Sequence, residues 1–350
     1  MTRRPLEPYR ALLADNPEFR RLWFGQIISQ LGDWFSSIAI YSLLIERTGS
    51  GEAVALAMLA QFLPMFVIGP PAGVLADRVD PRRILIVTDV LRAVVVAGLI
   101  LAERRSGVGL VYALLISQVV LSAFFEPARA ALVPTVTKRK DWLAANTLAG
   151  MTWSVMLALG AGLGGGVSAL LGRAAAFGID SVTFLASAAV LWGLRSRQPD
   201  PSEERGLAAP AREFREGLAY VARNRGLAAI LSVKSLWGIG GGILLLYTVF
   251  GERLFPLGEG AAASIGLLYA ARGIGAAVGP ILGRWLLGSS PEKLRRNIAL
   301  SFFLGGICYL GFAQAPNLPV ALVLAFGSHI GGSMMWVFST TLLQLACPER

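Results

Sequence analysis

The chain of 350 residues is 55% hydrophobic and 15% charged, whereas an average soluble domain is about 25% charged. This composition excludes an ordinary soluble domain. The net charge of +10 comes from basic residues in short gaps between apolar stretches, so no polar face remains to bind nucleic acid. The two cysteines, Cys308 and Cys347, fit neither a disulfide framework nor a metal-ligand spacing. Neither a metal nor a cofactor is predicted.

Apolar stretches of about 20 residues, the length that crosses a bilayer as a helix, recur along the whole chain. They are far longer than the alternating segments of an outer-membrane barrel. The sequence therefore predicts an all-α, polytopic membrane protein with about ten spans, which lie at residues 22–45, 53–76, 83–102, 109–132, 145–170, 174–194, 227–250, 261–287, 297–314 and 319–343.

Lysine and arginine are distributed unevenly between alternate loops. With the N-terminus inside, the inner loops include Lys138, Arg139 and Lys140 and the segment 195–225, which contains seven arginines. The outer segments contain few basic residues, namely Arg47, Arg104, Arg105, Arg173 and Arg253. Because inner loops of membrane proteins are enriched in lysine and arginine, this pattern predicts a cell inner-membrane protein with a cytoplasmic N-terminus.

The longest polar segment divides the spans into two groups. Residues 1–194 are predicted to form a six-helix bundle, 195–226 a cytoplasmic linker, and 227–350 an incomplete bundle of four helices. Within the linker, "REFREGLAYVARNR" places Phe214, Leu218 and Val221 on one helical stripe surrounded by arginines. This pattern predicts an amphipathic helix at the inner membrane surface, with a plain solvated helix as the alternative.

The two groups of spans share a sequence feature. Gly69-Pro70-Pro71-Ala72-Gly73 and Gly279-Pro280-Ile281-Leu282-Gly283 both follow G-P-x-x-G at the inner end of the second helix of a half. Repeated halves are typical of secondary transporters. Small residues at helical spacing, Gly273, Gly275, Gly279 and Gly283 in one span and Gly160, Gly164 and Ser168 in another, predict close contacts between helices.

The loop between the second and third spans contains the pattern G-x-x-x-D-R-x-x-x-R-R, formed by Gly73, Asp77, Arg78, Arg82 and Arg83. This pattern resembles the loop signature of the major facilitator superfamily. The resemblance implies two six-helix bundles and transport by alternating access.

Further stretches resemble one branch of that family, the drug and siderophore exporters that include macrolide-efflux and enterobactin-efflux proteins. They are "NPEFRRLWFGQIISQLGDW" at 16–34, "FFEPARAALVPTV" at 124–136 with "LAAN" at 143–146, and "REFREGLAYVARNRGL" at 212–227. The branch implies proton-driven export. The family has twelve spans, so the last two are expected to be missing from a chain that stops at "LLQLACPER".

Asp77 and the arginines of this loop have two interpretations. As a gating motif, they form a latch at the inner gate that is made and broken as the halves rock. As a static anchor, Arg82 and Arg83 hold the loop near anionic headgroups. The latch hypothesis predicts that Asp77→Ala abolishes transport and leaves membrane insertion normal.

Charged residues within spans are candidates for function because a lone charge at the bilayer centre is costly. Asp33, about halfway along the first span, is the main candidate for a proton-titrating or substrate-facing carboxylate; a structural hydrogen-bond acceptor is the alternative. Glu126 with Arg129, and Asp89 with Arg92, have the i,i+3 spacing of ion pairs that neutralise themselves.

Four further polar residues have open alternatives. Asp180 is interpreted as a helix cap or an interface residue. Lys234 is expected to extend toward the inner face. Arg272 is too close to the middle of its span to reach either membrane surface. It either lines the cavity or has a structural role. In the cavity it would pair with Asp33 or attract an anionic substrate. His329, the only histidine, either titrates or forms a packed polar contact.

The motifs argue against an enzyme. The sequence contains no G-x-S-x-G, no H-E-x-x-H and no P-loop, so neither hydrolytic chemistry nor ATP-driven transport is predicted. The predicted function is proton-coupled efflux of a small amphipathic molecule, such as a drug or siderophore, by a monomer in the lipid bilayer. Proton-coupled uptake, lipid-related transport and a non-transporting scaffold or receptor are the alternatives.

Overall fold

The computed structural model describes residues 6–104, 107–195, 209–239, 243–255 and 262–346. Within these ranges the chain is helical and contains no strand, which confirms the all-α prediction. The helices are α1 (Glu7–Asp15), α2 (Pro17–Thr48), α3 (Gly51–Arg78), α4 (Pro81–Glu103), α5 (Gly109–Val136), α6 (Trp142–Leu171), α7 (Arg173–Trp192), α8 (Ala209–Arg223), α9 (Arg225–Ile239), α10 (Ile243–Arg253), α11 (Ala262–Leu287), α12 (Pro291–Phe312) and α13 (Leu318–Ala346).

Five of the described helices are long and apolar enough to cross a membrane: Glu52–Arg78, Pro81–Glu103, Gly109–Val136, Arg173–Trp192 and Leu318–Ala346. The total of about ten spans stays a prediction. The predicted seventh span, 227–250, is represented by the two helices α9 and α10, and residues 240–242 between them lie outside the described ranges.

The first long helix starts earlier than its hydropathy indicates. Asn16 caps its amino end, because the Asn16 side-chain oxygen accepts a hydrogen bond from the Phe19 N–H at 2.9 Å. Pro17 occupies the first helical position, where its missing N–H costs nothing. The Asn16 amide also donates to the Val136 carbonyl at 2.6 Å, which ties this end of α2 to the end of α5. The polar first turns, not recognised as helix from the sequence, are thus part of α2.

One compact unit comprises Leu13–Lys138 and Leu159–Leu218. Within it, α7 packs against α2 and α4, and α5 packs against α3 and α4. Its core includes the fully buried side chains of Leu43, Leu99 and Phe177. The contact between α2 and α7 is close at Gly32, where a Cβ atom would overlap the side chains of Asp180 and Thr183. The glycine at position 32 therefore allows Asp180 of α7 to lie close to the main chain of α2.

The second compact unit comprises Met1–Leu12, Arg139–Ala158 and Ala219–Arg350. Within it, α13 packs along α9, α11 and α12. Gly275 and Gly279 allow the main chain of α13 to approach, because a Cβ atom at either position would overlap main-chain atoms of Phe326 or Ile330. The glycine stripe of α11 thus forms the close helix contact that its spacing predicted.

Two short helices, α1 and α8, lie outside the predicted spans. Helix α1 buries Tyr9 and Leu12, and the guanidinium carbon of Arg284 lies 5.6 Å from the centroid of the Tyr9 ring. Helix α8 confirms the helical part of the amphipathic prediction. In α8 Leu218 is exposed and Val221 is half-buried, and the side chain of Phe214 lies outside the described part. The location of α8 at the membrane surface stays a prediction.

The limits of the two compact units do not coincide with the predicted domains. The amino-terminal part of α6 belongs to the unit that contains α9–α13, and the remainder belongs to the unit that contains α2–α5 and α7. The predicted division of the chain into two bundles, 1–194 and 227–350, joined by the linker 195–226, follows the repeated halves of the sequence and stays a prediction.

Candidate functional site

A buried ionic cluster links α2 and α4 within the first unit. The Arg92 Nη2 atom lies 2.5 Å from Asp33 Oδ1, and its Nη1 atom lies 3.5 Å from Asp89 Oδ1. The side chains of Arg92 and Asp89 are 3% and 0% exposed, whereas that of Asp33 is 34% exposed. The prediction that Asp89 and Arg92 simply neutralise each other is therefore incomplete, because Arg92 makes its shorter contact with Asp33.

Neighbouring polar and aromatic side chains hold this cluster in place. The Gln118 amide donates to Asp33 Oδ1 at 3.1 Å, and Arg92 Nη1 donates to the Ser29 hydroxyl at 3.2 Å. The guanidinium carbon of Arg92 lies 4.0 Å from the centroid of the Phe184 ring, a cation–π contact that orients the planar group. Asp33 is thus the exposed end of an otherwise enclosed network.

Asp180 adds a third carboxylate, and the interpretation of this residue as a cap is wrong. Helix α7 begins at Arg173, after Gly172, so Asp180 lies two turns inside the helix and is fully buried against α2. It interacts electrostatically with Asp33 and Arg92. The interface alternative is the one that the packing supports. The predicted span, 174–194, nearly matches α7, but hydropathy could not show that Asp180 lies on the face that meets α2.

The cluster has more acidic than basic groups. Asp33, Asp89 and Asp180 surround the single guanidinium of Arg92, which leaves two negative charges unbalanced when all three carboxylates are ionised. The Oδ2 atoms of Asp89 and Asp180 are buried and form no hydrogen bond of ordinary geometry with the described residues. An uncompensated buried charge costs roughly several kcal/mol. The two excess negative charges of this cluster therefore call for bound protons or a bound cation.

Glu126 and Arg129 form the ion pair that their spacing predicts. Both Nε and Nη2 of Arg129 contact Glu126 Oε2, at 3.1 Å and 2.8 Å. The two side chains are 16% (Arg129) and 39% (Glu126) exposed, so the protein encloses this pair less than the cluster around Arg92. The geometry pairs the two opposite charges within one helix.

The loop motif joins α3, α4 and α7 at one end of the unit. Asp80 caps α4 by accepting a hydrogen bond from the Arg82 N–H at 3.0 Å. The Arg82 guanidinium donates to the main-chain oxygens of Leu191, at 3.3 Å, and of Trp192. Arg82 thereby adds donors at the carboxyl end of α7, where the Leu191 oxygen also accepts from the Leu194 N–H at 3.0 Å.

The other motif residues have different surroundings. Arg83 is largely exposed, with its Nε 3.9 Å from Asp80 Oδ2. Asp77 is exposed near the end of α3, and Arg78 is the last residue of that helix. A Cβ atom at Gly73 would meet no atom within 4 Å, so packing among the described residues does not explain this glycine. The motif contacts shown here connect helices of a single unit.

A second polar cluster lies inside the other unit, on α10, α11 and α13. Arg272 Nε donates to His329 Nε2 at 3.0 Å. His329 Nδ1 lies 3.2 Å from the Ala325 carbonyl oxygen and 3.2 Å from the Tyr247 hydroxyl. The histidine is 5% exposed. Arg272 is thus paired with His329, and Asp33 with Arg92, so each of the two predicted site residues has a partner in its own unit.

Lys234 is held by residues of α13. Its Nζ donates to the Thr340 hydroxyl at 2.8 Å and lies 3.7 Å from the centroid of the Trp336 ring. A hydrogen bond and a cation–π contact together account for a lysine in an apolar helix without a carboxylate partner.

Several participants were not identified from the sequence. Gln118 is a polar residue in the middle of an apolar span, and that signal was available. Tyr247, Trp237 and Tyr309 gave no signal, because aromatic residues in membrane helices occur for many structural reasons. Their part in the cluster around His329 depends on the packing of four helices.

Comparisons with known proteins identify the class. The family model of the Major Facilitator Superfamily matches residues 22–350. The uncharacterized MFS-type transporter YkuC of Bacillus subtilis is 26% identical over 332 residues, which cover 90% of this chain and 75% of that protein. Macrolide efflux protein A of Streptococcus pyogenes is 27% identical over 249 residues, covering 69% of this chain and 58% of its own length, so the match spans less than two thirds of that relative.

A solved structure shows the same fold. The crystal structure of a bacterial homologue of the iron transporter ferroportin, in an outward-facing state, matches with a TM-score of 0.69 and 17% identity, covering 94% of this chain and 85% of the other. At this identity the likeness concerns the fold alone.

The chain therefore belongs to the major facilitator superfamily and is a multi-pass membrane protein. Its family and relatives are transporters and not enzymes, which confirms the class expected from the loop signature. The resemblance to efflux proteins is also confirmed, since a macrolide efflux protein is among the relatives.

Proposed function

We propose that this chain mediates the export of a small amphipathic molecule in exchange for protons, by alternating access. We further propose that it is a monomer in the cell inner membrane, with the N-terminus in the cytoplasm. The observation that carries the proposal is the excess of three carboxylates over one guanidinium in the cluster around Arg92. The relationship to a macrolide efflux protein supports the direction of transport.

Asp33 is the proposed proton carrier because it combines exposure with a charged partner. Its side chain is 34% exposed, while Asp89 is 0% exposed, so protons and solutes reach Asp33 first. Protonation of Asp33 removes the charge that Arg92 contacts at 2.5 Å and leaves Arg92 to Asp89 and Asp180. The position of α2 relative to α4 is then biased by the proton, which is the coupling that alternating access needs.

The loop motif is proposed to act in gating. Arg82 contacts the end of α7 through main-chain oxygens, and α7 also carries Asp180 of the acidic cluster. A movement of α7 that accompanies protonation would be transmitted to this loop. The role of Asp77 as a latch belongs to the same proposal, and Asp77→Ala is expected to stop transport with a normal amount of protein in the membrane.

Transport in whole cells tests the proposal. Cells that produce the protein and cells with an empty vector are loaded with erythromycin, and then with fluorescein as a second amphipathic probe, which is an anion. We expect lower accumulation in producing cells, loss of the difference on adding a protonophore, and loss of the difference in the Asp33→Asn variant. Accumulation that stays low with the protonophore would contradict proton coupling, and equal accumulation with and without the protein for both probes would contradict export.

A carboxylate on the same helix provides the matched control. Glu46 lies near the other end of α2, is 64% exposed and pairs with Arg173. Glu46→Gln removes one negative charge from α2 but leaves the cluster intact, so efflux should persist. If Asp33→Asn and Glu46→Gln behaved alike, the assignment of the proton to Asp33 would fail.

A further inference from the structure

We propose that the cluster around Arg272 binds an organic anion, with a carboxylate at the guanidinium group and an apolar or aromatic body against the surrounding rings. This inference rests on the proposed function and names the chemical class of its substrate. It concerns only the unit that contains α9–α13.

The first observation is an unbalanced positive charge. Helices α9, α11 and α13 contain no acidic residue, α12 contains only Glu292 in its first turn, and α10 contains only Glu252, next to its last residue. Arg272 lies near the middle of α11 and is half-buried. Among the described residues, Arg272 forms no ion pair, and the groups that interact with it electrostatically are Tyr247, Tyr269 and Tyr309. Because a buried guanidinium stays protonated, the charge calls for an anion.

His329 orients the guanidinium without neutralising it. Arg272 Nε donates to His329 Nε2, so this ring nitrogen is the acceptor and the ring proton is on Nδ1. Nδ1 lies 3.0 Å from the Ser328 hydroxyl and 3.2 Å from the Ala325 carbonyl oxygen, which accepts the proton. The imidazole is thus neutral and fixed, and its contact with Nε leaves the two Nη groups of Arg272 for other partners.

The Nη groups are available to a ligand. The contact with His329 uses Nε, and Arg272 forms no other hydrogen bond with the residues that the structure describes. Two parallel N–H donors match the two oxygens of a carboxylate. The Tyr309 hydroxyl is a further donor, since it is buried, forms no hydrogen bond of ordinary geometry with the described residues beyond a weak interaction with Ser328, and interacts electrostatically with Arg272.

Aromatic rings surround this donor set. The Arg272 guanidinium carbon lies 5.5 Å from the centroid of the exposed Trp153 ring. The rings of Trp237 and Tyr309 lie 6.3 Å and 6.2 Å from the His329 ring, both edge-on. Rings at these positions provide apolar contact area for an aromatic or alicyclic body. Lys234, the other cation inside the unit, already has Thr340 and Trp336 as partners, so it does not compete for the anion.

Binding to the purified protein in detergent tests the inference without any proton gradient. Naphthoate, the uncharged naphthamide and the cationic naphthylmethylamine have the same ring system and differ in charge. Quenching of tryptophan fluorescence gives the dissociation constant of each. We expect naphthoate to bind at least about tenfold more tightly than the other two, as for a hydrogen-bonded charge pair. Equal binding of naphthoate and naphthamide, or no saturable binding of naphthoate, would overturn the inference without any variant.

Variants then assign the preference to Arg272. Arg272→Gln should reduce naphthoate affinity about tenfold or more and leave naphthamide affinity unchanged. Arg272→Lys keeps the charge but loses the forked geometry, so it should retain part of the preference. Arg284→Gln removes a charge from the same helix outside the cluster and should leave the preference intact. A preference for naphthoate that persists in Arg272→Gln would place the anion elsewhere and refute the proposal.

The two proposals fail separately. Export that responds to the protonophore, combined with equal binding of the three probes, leaves the proposed function standing and removes the anion site. Arg272-dependent binding of naphthoate, combined with efflux that the protonophore does not change, supports the anion site and removes proton coupling from the proposed function.

Discussion

Replacing Arg92 with methionine should destabilise the protein far more than the same replacement at Arg129. Both arginines are three residues after a carboxylate on one helix face, but Asp89 and Arg92 are 0% and 3% exposed, while Glu126 and Arg129 are 39% and 16% exposed. Loss of one partner of a buried pair costs about 3–5 kcal/mol, and exposed pairs contribute about 0–1 kcal/mol. Asp33, whose Oδ1 lies 2.5 Å from Arg92, also loses its charged partner in Arg92→Met and adds to the difference.

The free energy of unfolding of each variant is measured in mixed micelles by titration with SDS, with far-ultraviolet circular dichroism as the signal. We expect Arg92→Met to lose at least about 2 kcal/mol more than Arg129→Met. Adding Asp89→Asn to Arg92→Met should recover at least about 1 kcal/mol, since it removes the uncompensated charge. If the two arginine variants were destabilised equally, or if Asp89→Asn lowered stability further, burial of the cluster would not be the source of the energy.

Two further predictions concern packing. Gly32→Ala should cost about 1–3 kcal/mol of unfolding free energy, because its Cβ would overlap the Asp180 carboxylate. The control is Gly178→Ala, which should be neutral or stabilising because no atom lies within 4 Å of the new Cβ. Equal effects of the two substitutions on stability would contradict the close contact at Gly32. Tyr9→Ala should release α1 and speed tryptic cleavage at Arg10 at least about tenfold, whereas Tyr9→Phe should not. Burial raises the pKa of Tyr9 above 10.0, so the neutral phenol keeps α1 docked through pH 10 and docking is lost at higher pH. Tyrosinate absorbance, as the difference between wild type and Tyr9→Phe, should therefore rise only above pH 10, and a rise below that pH would refute the burial argument.

The helical class and the family followed from local sequence alone. Long apolar stretches have one stable arrangement in lipid, in which each helix satisfies its own main-chain hydrogen bonds, so hydropathy was sufficient to predict helices. The loop signature from Gly73 to Arg83 resembled the right family because its residues are adjacent in sequence. The i,i+3 pair of Glu126 and Arg129 was predicted for the same reason.

Errors arose where polar residues begin or interrupt helices. The start of α2 at Pro17 was missed because its first turn is charged, and a charged first turn lowers hydropathy without preventing a helix. Helix α1 was missed because its two buried residues, Tyr9 and Leu12, find their partners elsewhere in the chain. One of the two interpretations of Asp180 was a helix cap, although the residue lies inside α7.

By itself, the sequence determined that this is a helical membrane transporter of the major facilitator superfamily and which charged residues lie within its spans. Only the tertiary structure decided how those charges pair: Arg92 with Asp33, 59 residues apart, and Arg272 with His329, 57 residues apart. The reason is physical. The lipid environment acts on each helix separately, so its effect is visible in a local stretch. Partner choice depends on which faces of different helices meet, and small residues such as Gly32 and Gly275 set that contact.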